Sequence, residues 1–494
     1  MASQWDHIQA VRERRASETG PAFAPGDRRI ALCYPSPYRV GMSSLGYQWI
    51  LSRLWDVGLA AERVFLPEDT DAYRATKTSP FSYETETPLS EFPLLMVSLA
   101  YELEVAGLIE LLELAGIPPR REDRGPGDPM VILGGPITMS NPLPCAPFVD
   151  AMLLGEAEET APVAAEAFFD CDSRGSFLDE VVKLPGAYVP ERHGTQLPAI
   201  AKATDALLPA RSIILAPHTE LSNMFLIEGE RGCHRMCTFC VMRRTTNGGM
   251  RLVTPDRIMD LVPQAAPKVG FVGAAISDHP QLVELLERVS ASGRQVSVSS
   301  LRADRLRRRP RIAEILRAGG ARTLTTASDA ATGPLRKLIS KGTSEKDLLA
   351  VAQQAGELGF KTLKVYMMLG VPGEVDGDMA ELIRFTNELS QYVPVALGVA
   401  PFVAKRNTPL DGTDFAGISV VDRRVKAVHK GLNRKRATIR PTSARWAWVE
   451  YMLAQGGPEA GEAVLRAVHA GGKFADYKRA FKEMDAASMR PWAA

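Results

Sequence analysis

The chain lacks any uninterrupted apolar stretch of the roughly 20 residues that a membrane-spanning helix requires. It also lacks an excess of charge, because the formal net charge of its 494 residues is only +1. Such a balance argues against a protein that binds nucleic acid or membrane surfaces over a whole face. Its first residues, MASQWDHIQAVRERR, are charged where a signal peptide needs an apolar core. We therefore expect a cytoplasmic protein with no membrane partner.

Two basic runs, residues 301–311 and 421–440, are the segments that could face RNA, since lysine and arginine patches supply the salt-dependent part of such binding. Acidic residues elsewhere balance this charge, and the first run coincides with the start of a predicted helix. We interpret both runs as solvated faces, so nucleic acid is not an expected partner.

Cysteine is scarce, and its distribution argues against a disulfide framework. Of six cysteines in the chain, Cys33, Cys145 and Cys171 are scattered, and we interpret them as free thiols in or near the core. The other three lie in one short segment with the spacing C-x3-C-x2-C. A disulfide framework would spread its cysteines more evenly, and a reducing compartment disfavours it.

Apolar runs alternate with amphipathic helical patterns along most of the chain, which predicts an α/β fold with parallel sheets. A tail or helix over residues 1–28 leads into a Rossmann-like α/β domain over residues 29–165. Residues 166–220 are predicted to be an irregular connector that packs on its neighbours. Strands of the first domain are expected within RIALCYP, PLLMVSLAYE, PMVILGGP and FVDAMLLGEAEE.

A second region, residues 221–410, contains six β/α steps, enough to curl into a partial (β/α)6 barrel. Active sites of β/α barrels lie at the C-terminal ends of the strands, and the cysteine segment follows the first strand of this set. Residues 411–494 are predicted to form a mainly helical C-terminal cap. The six predicted strands lie in MFLIEGE, VGFVGAA, QVSVSSL, RTLTTAS, LKVYMMLG and VALGVAPF.

Three thiols on one loop could hold zinc, form a redox pair or bind an iron–sulfur cluster, and the spacing favours the cluster. Structural zinc sites close with four ligands, normally as two separated pairs, whereas here no second pair exists and His234 adjoins Cys233 in a poor geometry for joining the same ion. A redox pair of Cys237 and Cys240 would leave Cys233 without a role. Four-iron clusters normally take four thiolates, so three leave one iron open to another ligand.

With Phe239 just before its last cysteine, the segment ERGCHRMCTFC resembles the signature of the radical S-adenosylmethionine (SAM) enzymes. The resemblance implies a 4Fe-4S cluster on Cys233, Cys237 and Cys240, with the open iron chelating the amino and carboxylate groups of SAM. An electron from a donor such as flavodoxin or ferredoxin then cleaves SAM to a 5′-deoxyadenosyl radical.

Further segments resemble those of radical SAM proteins that also carry a cobalamin-binding-type domain, among them SSLRAD, TLTTASDAATGPLRKLISKG, LKVYMMLGVPGE and APFVAKRNTPL. GFVGAAISDHP stands where the family has a Gly-Gly-Glu-like segment that receives the SAM amino group. Its acidic residue is missing here, so backbone carbonyls would have to replace it. The alternative for each residue is ordinary packing at the barrel mouth. The predicted SAM contacts are Phe239, Gly273, Ala274, Ser300, Arg302, Asp329, Met368 and Gly370.

The first domain, through VILGGP and VDAMLLGEAEE, resembles the cobalamin-binding domain fused to many radical SAM enzymes. Glycines at the C-terminal end of a strand let a bulky ligand approach the backbone, in the crevice where open α/β sheets bind ligands. No histidine lies between His7 and His193, so none in this domain could ligate cobalt. The alternative is a degenerate domain that only supports the barrel or binds substrate. The predicted cobalamin contacts are Ser98, Gly134, Gly135, Gly155 and Glu156.

Taken together, these features predict a cobalamin-dependent radical SAM methyltransferase that acts on a carbon centre of a small molecule. One alternative is a radical SAM enzyme without functional cobalamin that carries out a rearrangement, an oxidation or a sulfur insertion on a small molecule or RNA. The other is a non-enzymatic iron–sulfur protein. The sequence singles out no catalytic side chain beyond the cluster ligands.

Overall fold

The computed structural model of the protein describes residues 3–242, 249–485 and 488–493. The chain forms two compact units, one of Met1–Phe225 with Met452–Ala494 and one of Leu226–Tyr451. The C-terminal region predicted over 411–494 is thereby divided between the units. Among the described residues, no helix has both the length and the apolar character needed to cross a membrane.

The first unit is built on a six-stranded sheet in the order β2-β1-β3-β4-β5-β6. Strands β1 to β5 pair in parallel, and the short β6 pairs antiparallel to β5. The order 2-1-3-4-5 is that of a doubly wound fold, whose ligand crevice lies where the strand order reverses, at β1 and β3. The strands are Arg29–Tyr34, Ala60–Phe65, Leu94–Ser98, Met130–Gly134, Ala151–Leu153 and Ala187–Tyr188.

Strand β2 was not among the predicted strands, because two charged residues interrupt its apolar pattern. All six of its residues are buried, including Glu62 and Arg63. Glu62 accepts a hydrogen bond from Arg29 at 2.7 Å, while Arg63 donates to Glu84 and Glu18, each at 2.7 Å. Buried charges are tolerated where they are paired and hydrogen-bonded, so these ion pairs allow a charged segment to form a buried strand at the edge of the sheet.

Helices pack around this sheet, and four elements fall in the connector that was predicted to be irregular. These are the helices Arg174–Val181 and Pro190–His193, the 3-10 helix Asp205–Leu207 and the strand β6. Two C-terminal helices, Pro458–His469 and Phe474–Lys482, belong to the same unit. The other helices of the unit are Gln4–Ala16, Tyr38–Gly41, Leu45–Asp56, Thr70–Thr76, Glu104–Leu114 and Thr160–Asp170.

The second unit contains the six predicted strands as β7 and β10 to β14, which confirms the α/β alternation read from the sequence. With a seventh strand, β15 at Ala437–Pro441, they form a three-stranded sheet, β11-β10-β7, and a four-stranded parallel sheet, β12-β13-β14-β15. The Leu301 N–H donates to the Thr325 carbonyl at 2.9 Å and links the segment after β11 to β12. The strands are Met224–Glu228, Lys268–Val272, Gln295–Val298, Thr323–Ala327, Thr362–Leu369 and Val395–Pro401.

Strand β15, Ala437–Pro441, is a seventh strand that the sequence did not predict, because ATIRP carries no long apolar run. A short antiparallel pair, β8 at Glu230–Gly232 and β9 at Met250–Leu252, follows β7. The helices of this unit are Pro255–Leu261, Leu282–Ala291, Ala303–Arg308, Arg311–Ala318, Gly333–Leu338, Glu345–Glu357, Asp378–Tyr392, Ile418–Gly431 and Ala444–Gln455.

Close packing of the helix Pro458–His469 on the first unit yields a stability prediction. A β-carbon at Gly461 would collide with the carbonyl oxygen of Pro144 and lie 3.1 Å from the Phe148 ring. We expect Gly461→Ala to destabilise the first unit by about 1–3 kcal/mol, since overpacking a filled site forces backbone to move. Differential scanning calorimetry of the full chain measures the change.

The matched control is Gly175→Ala, also in a helix, where a β-carbon would meet nothing within 4 Å. This control should leave stability unchanged or raise it by up to about 1 kcal/mol, the helix-propensity gain of alanine. Equal transition temperatures for both variants would show that the C-terminal helix does not pack as described.

Candidate functional site

The cysteine segment begins directly after β8, within the second unit. Gly232 has φ +95°, in the left-handed region that favours glycine, and turns the chain into the loop. Cys233 is buried, whereas Cys237 and Cys240 are half-buried. The Arg235 N–H approaches the Cys233 sulfur at 3.4 Å. The three thiols therefore share one short loop at the end of a strand.

The three thiols also act on one another electrostatically. Burial raises the pKa of Cys233 and of Cys240, and charge on the neighbouring Cys237 raises both further. Within the described residues, no three His, Cys, Asp or Glu side chains form a set that could hold a single metal ion. A tetrahedral zinc site would place its sulfurs about 3.8 Å apart.

An ion-pair cluster anchors the middle of this loop. Arg235 donates two hydrogen bonds to the fully buried Asp278 carboxylate, at 2.7 and 2.5 Å, and Arg305 pairs with the same carboxylate. Burial opposes ionisation of Asp278, but the two arginines outweigh it and lower its pKa to about 2. Asp278 lies in the turn after β10, so the loop is tied to a neighbouring strand. Sequence reasoning did not single out these three residues.

Glu230 lies against the segment after β10 that was predicted to meet the SAM amino group. Its Oε1 accepts a hydrogen bond from the Ala275 N–H at 2.6 Å, and a β-carbon at Gly273 would collide with that oxygen. Oε2 is buried and has no hydrogen-bond partner among the described residues. Burial raises the pKa of Glu230 to about 7.

Glu230 thus places a carboxylate beside a segment whose acidic residue was judged missing from the sequence. That judgement considered only the segment itself, whereas the carboxylate comes from a different strand. A glutamate three residues before Cys233 was the available signal. An orphaned buried carboxylate oxygen calls for a cationic or hydrogen-bond-donating partner.

Asp329, which follows β12, is linked to the cysteine loop by Lys341. The Asp329 carboxylate pairs with the Lys341 ammonium group, and the positive charge of Lys341 opposes the rise in the pKa of Cys240. Nearby, the Thr238 N–H donates to the Ile339 carbonyl at 3.0 Å. Asp329 has φ +61°, a left-handed conformation that non-glycine residues adopt rarely. Lys341 is a further residue that sequence reasoning did not identify.

The other predicted SAM contacts lie at the ends of neighbouring strands. Met368 lies next to Asp329, because its N–H donates to the Asp329 carbonyl at 3.3 Å. Gly370 has φ +87°, and its N–H donates to Glu374 at 2.7 Å. Arg302 already pairs with Asp304 at 2.9 Å.

Phe239 is half-buried on the cysteine loop. Ser300 is exposed, and so is Ala274, which follows β10. The SAM-binding roles of all these residues stay predictions.

In the first unit, the predicted cobalamin contacts have intrachain neighbours. A β-carbon at Gly135 would lie 2.6 Å from the Leu99 carbonyl oxygen, and one at Gly155 would lie 2.5 Å from that of Ala201. Any larger residue at either position would collide with the backbone of a neighbouring segment, so both positions require glycine. Glu156 likewise accepts a hydrogen bond from the Ala203 N–H at 2.9 Å.

Ser98 and Gly134 pair across β3 and β4, at the carboxyl ends of those strands. The point where the strand order reverses is bordered by Ser36 after β1 and Glu104 after β3. The Ser36 hydroxyl donates to the Glu104 carboxylate at 3.0 Å. The cobalamin-binding roles of the five residues stay predictions.

Two family models match the chain: "Radical SAM proteins, N-terminal" over residues 47–190 and "Radical SAM superfamily" over residues 227–386. An uncharacterized protein of Methanocaldococcus jannaschii is 25% identical over 418 residues, which cover 83% of this chain and 84% of that protein.

Two solved structures share the fold. One is the radical SAM methyltransferase TsrM from Kitasatospora setae, with cobalamin and a 4Fe-4S cluster bound. Its TM-score is 0.53 at 15% identity, and the match covers 81% of this chain and 78% of that chain. The other is the cobalamin-dependent SAM radical enzyme OxsB, with aqua-cobalamin and SAM bound. Its TM-score is 0.51 at 13% identity, and the match covers 83% of this chain and 58% of that chain. The predicted fold class, with a Rossmann-like first domain and a β/α second domain, is confirmed.

The Asp278 anchor can be tested without any cofactor. We expect Asp278→Ala to destabilise the second unit by about 3–5 kcal/mol, because removing one partner of a buried ion pair leaves the other charges uncompensated. The cysteine loop should also become more accessible, so that Cys237 reacts faster with a thiol reagent. Calorimetry and peptide-resolved thiol labelling measure the two effects.

Glu287→Ala is the control, since Glu287 forms an exposed pair with Arg311 at 2.8 Å. Exposed pairs contribute about 0–1 kcal/mol. An Asp278→Ala variant as stable as this control, with unchanged labelling of Cys237, would contradict the anchoring role.

Proposed function

Because this chain belongs to the radical SAM superfamily, we propose that it is an enzyme that cleaves SAM at a 4Fe-4S cluster held by Cys233, Cys237 and Cys240. The observation that carries the proposal is the loop after β8, which holds three cysteines with the spacing C-x3-C-x2-C close enough together for their charges to interact. Three thiolates leave one iron of such a cluster for another ligand. When bound, the cluster supplies the electron that breaks a C–S bond of SAM.

The protein residues around the loop support this role. Glu230 offers a buried carboxylate oxygen to the SAM amino group, beside the segment Gly273 to Ala275. The positive charge of Lys341 favours the anionic form of Cys240, and the hydrogen bond from the Arg235 N–H favours that of Cys233. The Asp278 clamp fixes the loop, so the ligands are positioned before the cluster binds.

We further propose that the enzyme is a cobalamin-dependent methyltransferase that acts on a carbon of a small molecule. The fold likeness to TsrM and OxsB and the doubly wound sheet of the first unit support this. TsrM is described with a tryptophan substrate, which fits a small-molecule substrate here. Cobalamin, when bound, would supply a carrier for the methyl group.

The crevice bordered by Ser36 and Glu104 is where the first unit would receive that ligand. Since no histidine lies between His7 and His193, the protein would hold it without a histidine ligand to cobalt. An electron donor such as flavodoxin or ferredoxin is required for SAM cleavage and is proposed as the protein partner.

SAM cleavage tests the cluster assignment. Cys233→Ala, Cys237→Ala and Cys240→Ala, singly and combined, should abolish 5′-deoxyadenosine formation under reducing, anaerobic conditions, because each removes a cluster ligand. The matched control is Cys171→Ala, a half-buried cysteine of the first unit. Its activity should equal that of the wild type. A triple variant that still cleaves SAM would overturn the proposal.

Methyl transfer is tested by the cobalamin requirement. With methyl-labelled SAM, the protein reconstituted with cobalamin should transfer label to a carbon of the accepted substrate, and the cobalamin-free protein should not. SAM cleavage with no bound cobalamin after reconstitution would instead support the alternative of a radical SAM rearrangement or oxidation.

A further inference from the structure

Strand β13 presents two unlike faces. Leu363, Val365 and Met367 are buried against helices that cover the sheet, whereas Lys364 and Tyr366 lie on the other face, where Tyr366 is 42% exposed. Side chains alternate between faces along a strand. The face of β13 that carries Lys364 and Tyr366 is therefore not covered by the helical layer, and we call it the uncovered face.

The parallel register extends the uncovered face over the next two strands. Tyr366 is opposite Gly398 on β14, and Gly398 is opposite Arg440 on β15. Gly398 is the small residue between two large ones, and a β-carbon there would lie 3.1 Å from the Tyr366 ring. Tyr366 and Arg440 thus stand on either side of a gap one strand wide, with their Cα atoms about 10 Å apart.

Lys364 lies beside Tyr366 on the same face. Its Nζ donates to the Tyr366 hydroxyl at 2.9 Å and lies 4.6 Å from the centre of the ring. Within the part of the chain that the structure describes, neither Lys364 nor Arg440 has a carboxylate partner. A lysine ammonium has three donors, so two remain on Lys364, and the whole guanidinium of Arg440 is available.

The acidic side chains that follow β12 and β13 do not neutralise this charge, because they are already paired. Asp329 pairs with Lys341, and Glu374 pairs with Arg424 at 2.7 Å. The uncovered face therefore combines two cations, an exposed aromatic ring and a gap left by a glycine. Arginine and lysine bonds to carboxylates are among the strong hydrogen bonds in proteins, and an exposed tyrosine ring contacts apolar groups.

We propose that the uncovered face binds the carboxylate group of the substrate, a small apolar or aromatic acid. Lys364 and Arg440 donate to the carboxylate, and the Tyr366 ring contacts the apolar body. Strands β13 and β15 hold these residues rigidly. All three come before the carboxyl ends of their strands, the ends near which Asp329 and Met368 lie. The binding of the acid is inferred from this face alone, and only the later conversion of the acid rests on the proposed function.

Chemical labelling of Arg440 in the full-length protein tests the site. Phenylglyoxal modification of Arg440, followed by peptide mass spectrometry, should slow by about tenfold at a benzoate concentration about ten times its dissociation constant, since the unoccupied fraction falls by about that factor. Benzamide, the neutral isostere, should give no protection. Labelling of Arg440 at the same rate with and without benzoate, or equal protection by benzamide, would overturn the proposal.

Lys364→Met removes one of the two cations and should abolish benzoate protection of Arg440, whereas Lys364→Arg should retain it. The matched control is Lys361→Met, which removes an exposed lysine just before the same strand and should leave protection unchanged. Loss of protection in Lys361→Met as well would contradict a specific site. Because labelling needs neither cluster nor SAM, a protein that protects Arg440 but fails to cleave SAM would retain the site and refute only the proposed function.

Discussion

The second unit depends on one constraint: three cysteine thiols must be held close together although their charged forms repel one another. The loop resolves this through anchors to other elements. Asp278, after β10, fixes Arg235 inside the loop, and the Ile339 carbonyl accepts a hydrogen bond from Thr238 between the second and third cysteines. Nearby cations stabilise thiolates, and Lys341 supplies one beside Cys240. Anchoring and charge compensation thus come from the same neighbouring segments.

Charge compensation also shapes the first unit. Arg63 lies on the edge strand β2 but is only 2% exposed, which is tolerated because Glu18 and Glu84 both pair with it. Breaking one partner of such a cluster would leave a buried charge, whereas the complete cluster contributes little net stability. In both units, therefore, buried ion pairs determine where a segment lies, and apolar packing supplies the stability.

The sequence predicted those features that are local in the chain. Six strands of the second unit have clear apolar runs, and the cysteine spacing is contiguous, so both could be read directly. Strand β2 was missed because Glu62 and Arg63 interrupt its pattern, and their partners lie far along the chain. Glu230 and Lys341 were missed for a related reason, since Glu230 on β8 meets a segment that follows β10, and Lys341 reaches the site from the loop after the helix Gly333–Leu338. The approach of Gly155 to Ala201 is likewise a contact between distant segments, which no local pattern reveals, and the predicted contact of Gly155 with cobalamin stays a prediction.

The account's central claim is that the cysteine loop holds a four-iron cluster with one open iron. Metal analysis with Mössbauer spectroscopy of the full-length protein, purified anaerobically from cobalamin-fed cells, tests it most directly. The account predicts about four irons per chain in a cluster of the 4Fe-4S type, whose spectrum shows one iron site altered when SAM is added. Zinc in place of iron, or a cluster whose four irons are all insensitive to SAM, would contradict it.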